Sequence, residues 1–282
     1  MPENLRVLKG RIRTAKNIAQ LAKTLEMVSV SKIRRARGLA ETVRPYAERI
    51  TALTGATLQS VPADQRDHPY LKPGKNPRRL LLVIGPDKGL CGPLTGNLVR
   101  KLADSMDKET LLITVGRRME GPGARMAGAR LLASFPMGAR LPQYSLVFDL
   151  VHVINEHIQS GNAGTLDIIY GRFVSFFTQV PVLEHVLPLD PSAVAARGEP
   201  SEFEPGSEVL LAALLPHFLE VSLFNAVVQA FSAEHAARMV AMQNAKSNAL
   251  EIADSFTLLY NKTRQERITS EILDLANKGK KK

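Results

Sequence analysis

Apolar positions at the two ends of the chain keep the spacing of helices that pack on helices. From Leu5 and Leu8 the series Ile12, Ala15, Ala19, Ala22 steps by three and four, passes through Glu26 and Ser29, and resumes at Ile33, Ala36, Ala40, Val43, Ala47 and Ile50. That alternation predicts a coiled-coil seam of about six heptads. Alanine dominates the seam, and small residues let two helix axes approach closely. Ile18, Leu21, Leu25 and Val28 add a second apolar stripe over the middle turns. Asn4 is the expected N-cap, and Pro45 predicts a kink or a change of surroundings.

At the other end, His217 to Lys278 runs 62 residues without Gly or Pro, the two residues that end a helix most cheaply. One continuous rod on the order of 90 Å long is predicted. Its apolar residues, Phe218, Val221, Val228, Met239, Met242, Ala249, Ala253, Phe256 and Tyr260, again follow coiled-coil steps. Asn225, Ser232, His235 and Lys246 share that register, so tight packing is expected only in parts. The two rods are each other's expected partner, wound antiparallel as a stalk.

Between them the period changes. A continuous apolar run at 80–84 predicts a buried strand, the stretches 111–115, 131–135 and 166–170 read as further strands, and 179–187 as an edge strand because Pro181 cannot donate to a ladder. Helical patterns fill 93–106 and 143–160. Strand alternating with helix predicts a small α/β sheet inserted between the two terminal helices. The expected fold class is therefore α/β, a long antiparallel coiled coil of the N- and C-terminal helices with an inserted Rossmann-like α/β domain. The expected boundaries are a coiled-coil helix over 1–60, a linker over 61–78, the α/β domain over 79–189, a linker over 190–206, a second coiled-coil helix over 207–278 and a basic tail over 279–282.

Composition narrows the class of function. The 282 residues are 45% apolar, enough for a sizeable core, and no apolar run approaches the ~20 residues of a membrane span, so the chain reads as soluble. The first twenty residues lack the apolar core of a signal peptide. A single cysteine, Cys91, excludes an internal disulfide. The net charge is +10, of which residues 1–58, with twelve basic and four acidic side chains, supply +8. A basic surface implies an acidic neighbour, either nucleic acid, lipid or protein. Absent Trp and only 5% aromatics weigh against nucleic acid, and charge runs usually form a solvated face.

Candidate chemistry is sparse. Gly85-Pro86-Asp87-Lys88-Gly89-Leu90-Cys91-Gly92 stands after the first strand, where nucleotide-binding sheets keep a phosphate loop. It matches neither G-x-x-x-x-G-K-[ST] nor G-x-G-x-x-G, and protein contact is the better reading. Cys91 has neither a neighbouring His nor a second Cys and reads as a small semi-buried residue. His152 and Glu156 share a helix face without a third metal ligand. No catalytic, cofactor-binding or metal residue is expected.

Four separated segments carry a resemblance. Lys23-Thr24-Leu25-Glu26-Met27-Val28-Ser29-Val30-Ser31-Lys32, Asp87-Lys88-Gly89-Leu90-Cys91-Gly92, Glu234-His235-Ala236-Ala237-Arg238-Met239-Val240-Ala241-Met242, and Tyr260-Asn261-Lys262-Thr263-Arg264-Gln265 with Ile268-Thr269 closely resemble the gamma subunits of F-type ATP synthases, in the order that family shows. The resemblance implies a non-catalytic rotor that couples rotation of a membrane c-ring to ATP synthesis or hydrolysis. One copy would stand inside a hexamer of three α and three β subunits, with the catalytic sites on β and with the foot, beside the epsilon subunit, on the ring. It implies peripheral attachment at the cytoplasmic side of a bacterial cell membrane, with no membrane span of its own and no nucleic acid.

By the same resemblance, Arg264 and Gln265 would form a polar catch on α and β, Lys88 and Cys91 would face an acidic lever loop of β, Leu25, Met27, Met239 and Met242 would belong to the shaft, and Phe203 and Glu204 would lie near epsilon and the c-ring. Leu25 stands where the family usually has Met, a swap that conserves volume. The Lys-rich end departs from the family's small apolar tip, and one cysteine cannot form the thiol switch of chloroplast members. The alternative reading is a basic helical scaffold that binds nucleic acid.

Overall fold

The computed structural model describes residues 5–72, 76, 78–107, 109–126, 128–138, 140–191, 203–204 and 206–279. The elements are α1 (Leu5–Ser60), β1 (Arg79–Ile84), α2 (Leu94–Asp104), β2 (Thr110–Val115), α3 (Arg117–Arg125), β3 (Ala129–Phe135), α4 (Ser145–Gln159), β4 (Thr165–Phe173), β5 (Gln179–Leu187) and α5 (Ser207–Gly279). A 3-10 turn, Ala63–Gln65, follows α1.

Two compact units divide the chain. One comprises Met1–Val28 with Met239–Lys282, the other Ser29–Arg238. In the first, α1 and α5 run antiparallel: Glu26 pairs with Lys246 at 3.4 Å, and Arg11 lies 5.4 Å from the centre of the Phe256 ring. Leu8, Ala15, Ala19 and Ala22 on α1, and Met239, Met242, Ala249 and Ala253 on α5, are buried as the heptad spacing requires.

The second unit holds a five-stranded sheet in the order β3-β2-β1-β4-β5. β1 pairs parallel with β2 and β4, β2 parallel with β3, and β5 runs antiparallel along β4. Pro181 sits in that outer strand, where a missing N–H leaves no gap in a ladder. β1 and β2 are buried on both faces, which is why Leu80–Ile84 reads as an unbroken apolar run and β2 as one broken only by buried threonines. Alternate residues feed two cores. Leu80, Leu82, Ile84, Ile113 and Ile168 join Val147, Leu150 and Ile154 of α4 and Leu215 to Phe231 of α5. Leu81, Val83, Leu112 and Ile169 meet Leu94, Leu98 and Leu102 of α2 and Met119 of α3.

The two long helices each contain a proline. Pro45 occupies an exposed position of α1, where water can reach the carbonyl that loses its partner, so the helix runs on through it. α5 begins at Ser207, ten residues before the proline-free stretch, and passes through Pro216. Leu211, Leu214, Leu215 and Leu219 are all buried around that proline. Each buried leucine contributes about 1.5–3 kcal/mol, which together outweighs the ~3 kcal/mol of a helical proline.

The sequence shows no long apolar run, yet an 18-residue window of α5 reaches a mean hydropathy of 1.7, enough by length and composition to cross a membrane. The difference arises because apolar residues are dense there without being consecutive. Leu211, Leu215, Leu219, Leu223 and Val227 place that density in the core beside the sheet.

Candidate functional site: the loop after the first strand

The loop from Gly85 to Gly92 leaves the C-terminal end of β1, where open α/β sheets place their ligands. Asp87 anchors it to the sheet side. Its carboxylate accepts the backbone N–H groups of Arg117 at 3.1 Å, Met137 at 3.0 Å and Gly138 at 2.7 Å. Gly116 supports this approach with φ +93, and a side chain there would collide with the carbonyl oxygen of Gly85.

The other anchor comes from α5. Arg238 donates through Nη2 to the Lys88 carbonyl at 2.9 Å and through Nε to the Gly89 carbonyl at 3.2 Å. Nη2 also reaches Glu234 Oε1 at 2.6 Å, and Nη1 donates to His235 Nδ1 at 3.0 Å. Glu234, His235 and Arg238 are all buried. Burial raises the Glu234 pKa against the pull of Arg238. Burial, with Arg238 and Lys32 nearby, drives His235 down to about 3, so its ring stays neutral and free to accept. Burial, then Arg238, also lowers the Lys32 pKa. The His235 ring packs edge-on to Phe231 with centroids 4.5 Å apart.

The chemistry of the loop follows from which backbone groups face inward. A phosphate loop turns N–H groups to its ligand. Here carbonyl oxygens of Lys88 and Gly89 face the crevice, and a guanidinium of the same chain takes them. The arrangement holds a cation and offers no anion cradle. The side chains of Lys88 and Leu90 are exposed, Leu90 at φ +63.

Cys91 is buried, its thiol 3.9 Å from the Lys88 carbonyl and 3.4 Å from Thr95 Oγ1, so it lies beneath the loop that Lys88 tops. Leu25 and Met27 are exposed on α1, whereas Met239 and Met242 are buried on α5. Arg264 and Gln265 stand exposed on α5, far along the chain from the loop; Phe203 is half-buried and Glu204 exposed. The Lys-rich end beyond Gly279 lies outside the described residues. Among the described residues, no group of three or more His, Cys, Asp or Glu is arranged to hold a metal ion.

Spacing arguments did not single out Asp87 or Arg238. The available signal was the Glu234–Arg238 step of four residues on a helix, a pairing geometry, beside a polar His235 on an apolar register.

Residues 4–277 match the family model described as ATP synthase. The ATP synthase gamma chain of Dehalococcoides mccartyi strain CBDB1 is 37% identical over 279 residues, covering 96% of both chains. That of Chloroflexus aurantiacus strain J-10-fl is 34% identical over 285 residues, covering 98% of both. This chain belongs to the ATP synthase gamma chain family.

Membership makes it the central-stalk rotor subunit of an F-type ATP synthase, and the nucleic-acid reading finds no support. The fold agrees with solved relatives. A chain of the Euglena gracilis mitochondrial ATP synthase, in a structure of OSCP, F1 and c-ring, superposes with a TM-score of 0.67 at 18% identity, covering 98% of this chain and 93% of that one. A chain from the Tetrahymena thermophila mitochondrial central stalk and c-ring gives 0.60 at 23% identity, covering 80% and 99%.

Proposed function

We propose that the coiled coil of this chain turns as a single copy inside a hexamer of α and β subunits, that all catalysis belongs to β, and that the α/β domain, with the epsilon subunit, rides on the c-ring. The complex would lie peripherally on the cytoplasmic side of a bacterial cell membrane. In this reading helices 1–60 and 207–278 form the shaft, residues 79–189 the foot, 61–78 and 190–206 its linkers, and 279–282 a basic tail.

The observation that carries the reading is the surface of the α1 and α5 segments in the first unit. Their seam buries mainly alanine, while Val7, Ile18, Leu21, Met27, Val28, Ile252, Leu258 and Ile272 are each at least 47% exposed. A groove of about 580 Å³, lined by Val7, Gly10, Ile18, Ala245, Ile252 and Phe256 among others, runs along it. So much apolar surface on a helical rod fits an enclosing protein sleeve. On the foot, Lys88, with Leu90 beside it, faces an acidic loop of β while Cys91 supports the backbone beneath. Arg264 and Gln265 form the polar catch, Leu25, Met27, Met239 and Met242 belong to the shaft, and Phe203 and Glu204 approach epsilon.

The test is ATP hydrolysis and gel filtration of purified α and β subunits with and without the chain. Active hexamers are expected only when it is present at about one copy per three β. Hexamers of equal activity without it would overturn the proposal. Replacing Arg264 and Gln265 together with alanine should lower turnover while the complex still assembles.

A further inference from the structure

We propose that Arg238 is a positioning residue for the rotor's contact with the catalytic subunits, clasping the backbone of the Gly85–Gly92 loop to α5 so that Lys88 and Leu90 move with that helix as one piece. The inference rests on the function proposed above and adds to it a residue that acts through the loop.

Three features point to a clasp rather than a general stabilising pair. First, the guanidinium uses three of its N–H directions on two successive carbonyls, Lys88 and Gly89, and on His235, while Glu234 holds Nη2 from behind. A planar fork with fixed directions can do this, and a lysine ammonium cannot. Second, the whole group is buried, where an ion pair gains little net stability over an apolar substitute but fixes geometry. Third, the clasp touches the loop only through backbone atoms, which leaves the side chains of Lys88 and Leu90 facing outward. With Asp87 tying the same loop to the backbone of 117, 137 and 138, the loop is held from both sides.

The sole cysteine reports on this loop directly, because Cys91 is 2% exposed and packs against the Lys88 carbonyl. In the isolated full chain, Arg238→Gln should leave the helix content unchanged by circular dichroism and raise the rate of Cys91 labelling by a maleimide about tenfold or more, the size expected on losing a charge-assisted bond. Arg238→Lys should behave in the same way, since charge alone does not rebuild the fork. Lys88→Ala should label at the native rate, because the clasp uses only the carbonyl of residue 88. Assembled with α and β subunits, Arg238→Gln should enter hexamers normally and lower ATP turnover severalfold.

Native labelling rates in Arg238→Gln, or their restoration by lysine, would overturn the clasp. Faster labelling with unchanged turnover would overturn the positioning role. Loss of fold in both Arg238 variants would reduce the residue to a structural one and overturn it likewise. Failure of the native chain to join α and β is a different result, and it would sink the rotor reading instead.

Discussion

The two units of this chain solve the burial problem in opposite ways. In Ser29–Arg238, side chains from both faces of a sheet and five helices fill two cores, and Leu80, Leu82, Ile84, Leu112 and Ile113 are fully buried. In the unit of Met1–Val28 and Met239–Lys282, the buried seam is thin and mostly alanine, and larger apolar residues face outward. The sheet unit completes its own core, whereas the helical unit leaves large apolar side chains outside its seam. That difference fits a part that must keep its form under load joined to a part whose surface must be read by others.

The largest expected effect that sharpens this contrast is in the sheet. Leu82→Ala should cost about 2–5 kcal/mol in chemical denaturation, because it empties a fully buried site between sheet and helix. A cost under 1 kcal/mol would mean the core is looser than its burial suggests.

Acid should next weaken the same unit. The folded pKa of His235 lies far below its unfolded value near 6.5, so the unfolded chain binds the proton first as pH falls. Stability is then complete above ~6.5 and declines below it, by roughly 2 kcal/mol between pH 6.5 and 5 if this group acts alone. Glu234, whose pKa is raised, works in the opposite direction and softens the loss. Denaturation at both pH values, compared with His235→Gln, isolates the share of His235.

A smaller effect distinguishes helix propensity from packing. A methyl group added at Gly10 meets nothing within 4 Å, and the same is true at Gly38 in the other unit. Gly10→Ala and Gly38→Ala should therefore each stabilise by about 0.5–1 kcal/mol, seen as a raised melting temperature. The smallest effect tests the exposed apolar surface. Leu21→Gln, at a site 65% exposed, should change the stability of the isolated chain by less than about 0.5 kcal/mol yet weaken assembly with α and β. A large loss of stability in the isolated chain would mean that this face is already covered.

Much of the architecture was legible because it rests on local periodicity. Three-and-four spacing marked α1 and most of α5, an unbroken apolar run marked β1, and predominantly apolar stretches marked the other four strands. α3 was not legible, since Gly121-Pro122-Gly123 reads as a flexible turn. In the structure it lies within Arg117–Arg125, where a side chain at 123 would come within 2.9 Å of Leu112 and 3.2 Å of Thr114. Close packing on β2 overrides the poor helix propensity of those residues. The first ten residues of α5 lie before the proline-free stretch, and buried leucines around Pro216 carry the helix through it.

The sequence by itself determined the two terminal helices, the strand set and the family, because heptads, apolar runs and motifs are written within short stretches of chain. Only tertiary structure decided what the glycine-rich loop holds. Arg238 lies 150 residues from Lys88, and no local pattern says that a guanidinium will occupy a crevice that other sheets give to phosphate. That outcome depends on which backbone atoms face inward and which helix passes within 3 Å of them, and distances across a fold are set by packing rather than by spacing along the chain.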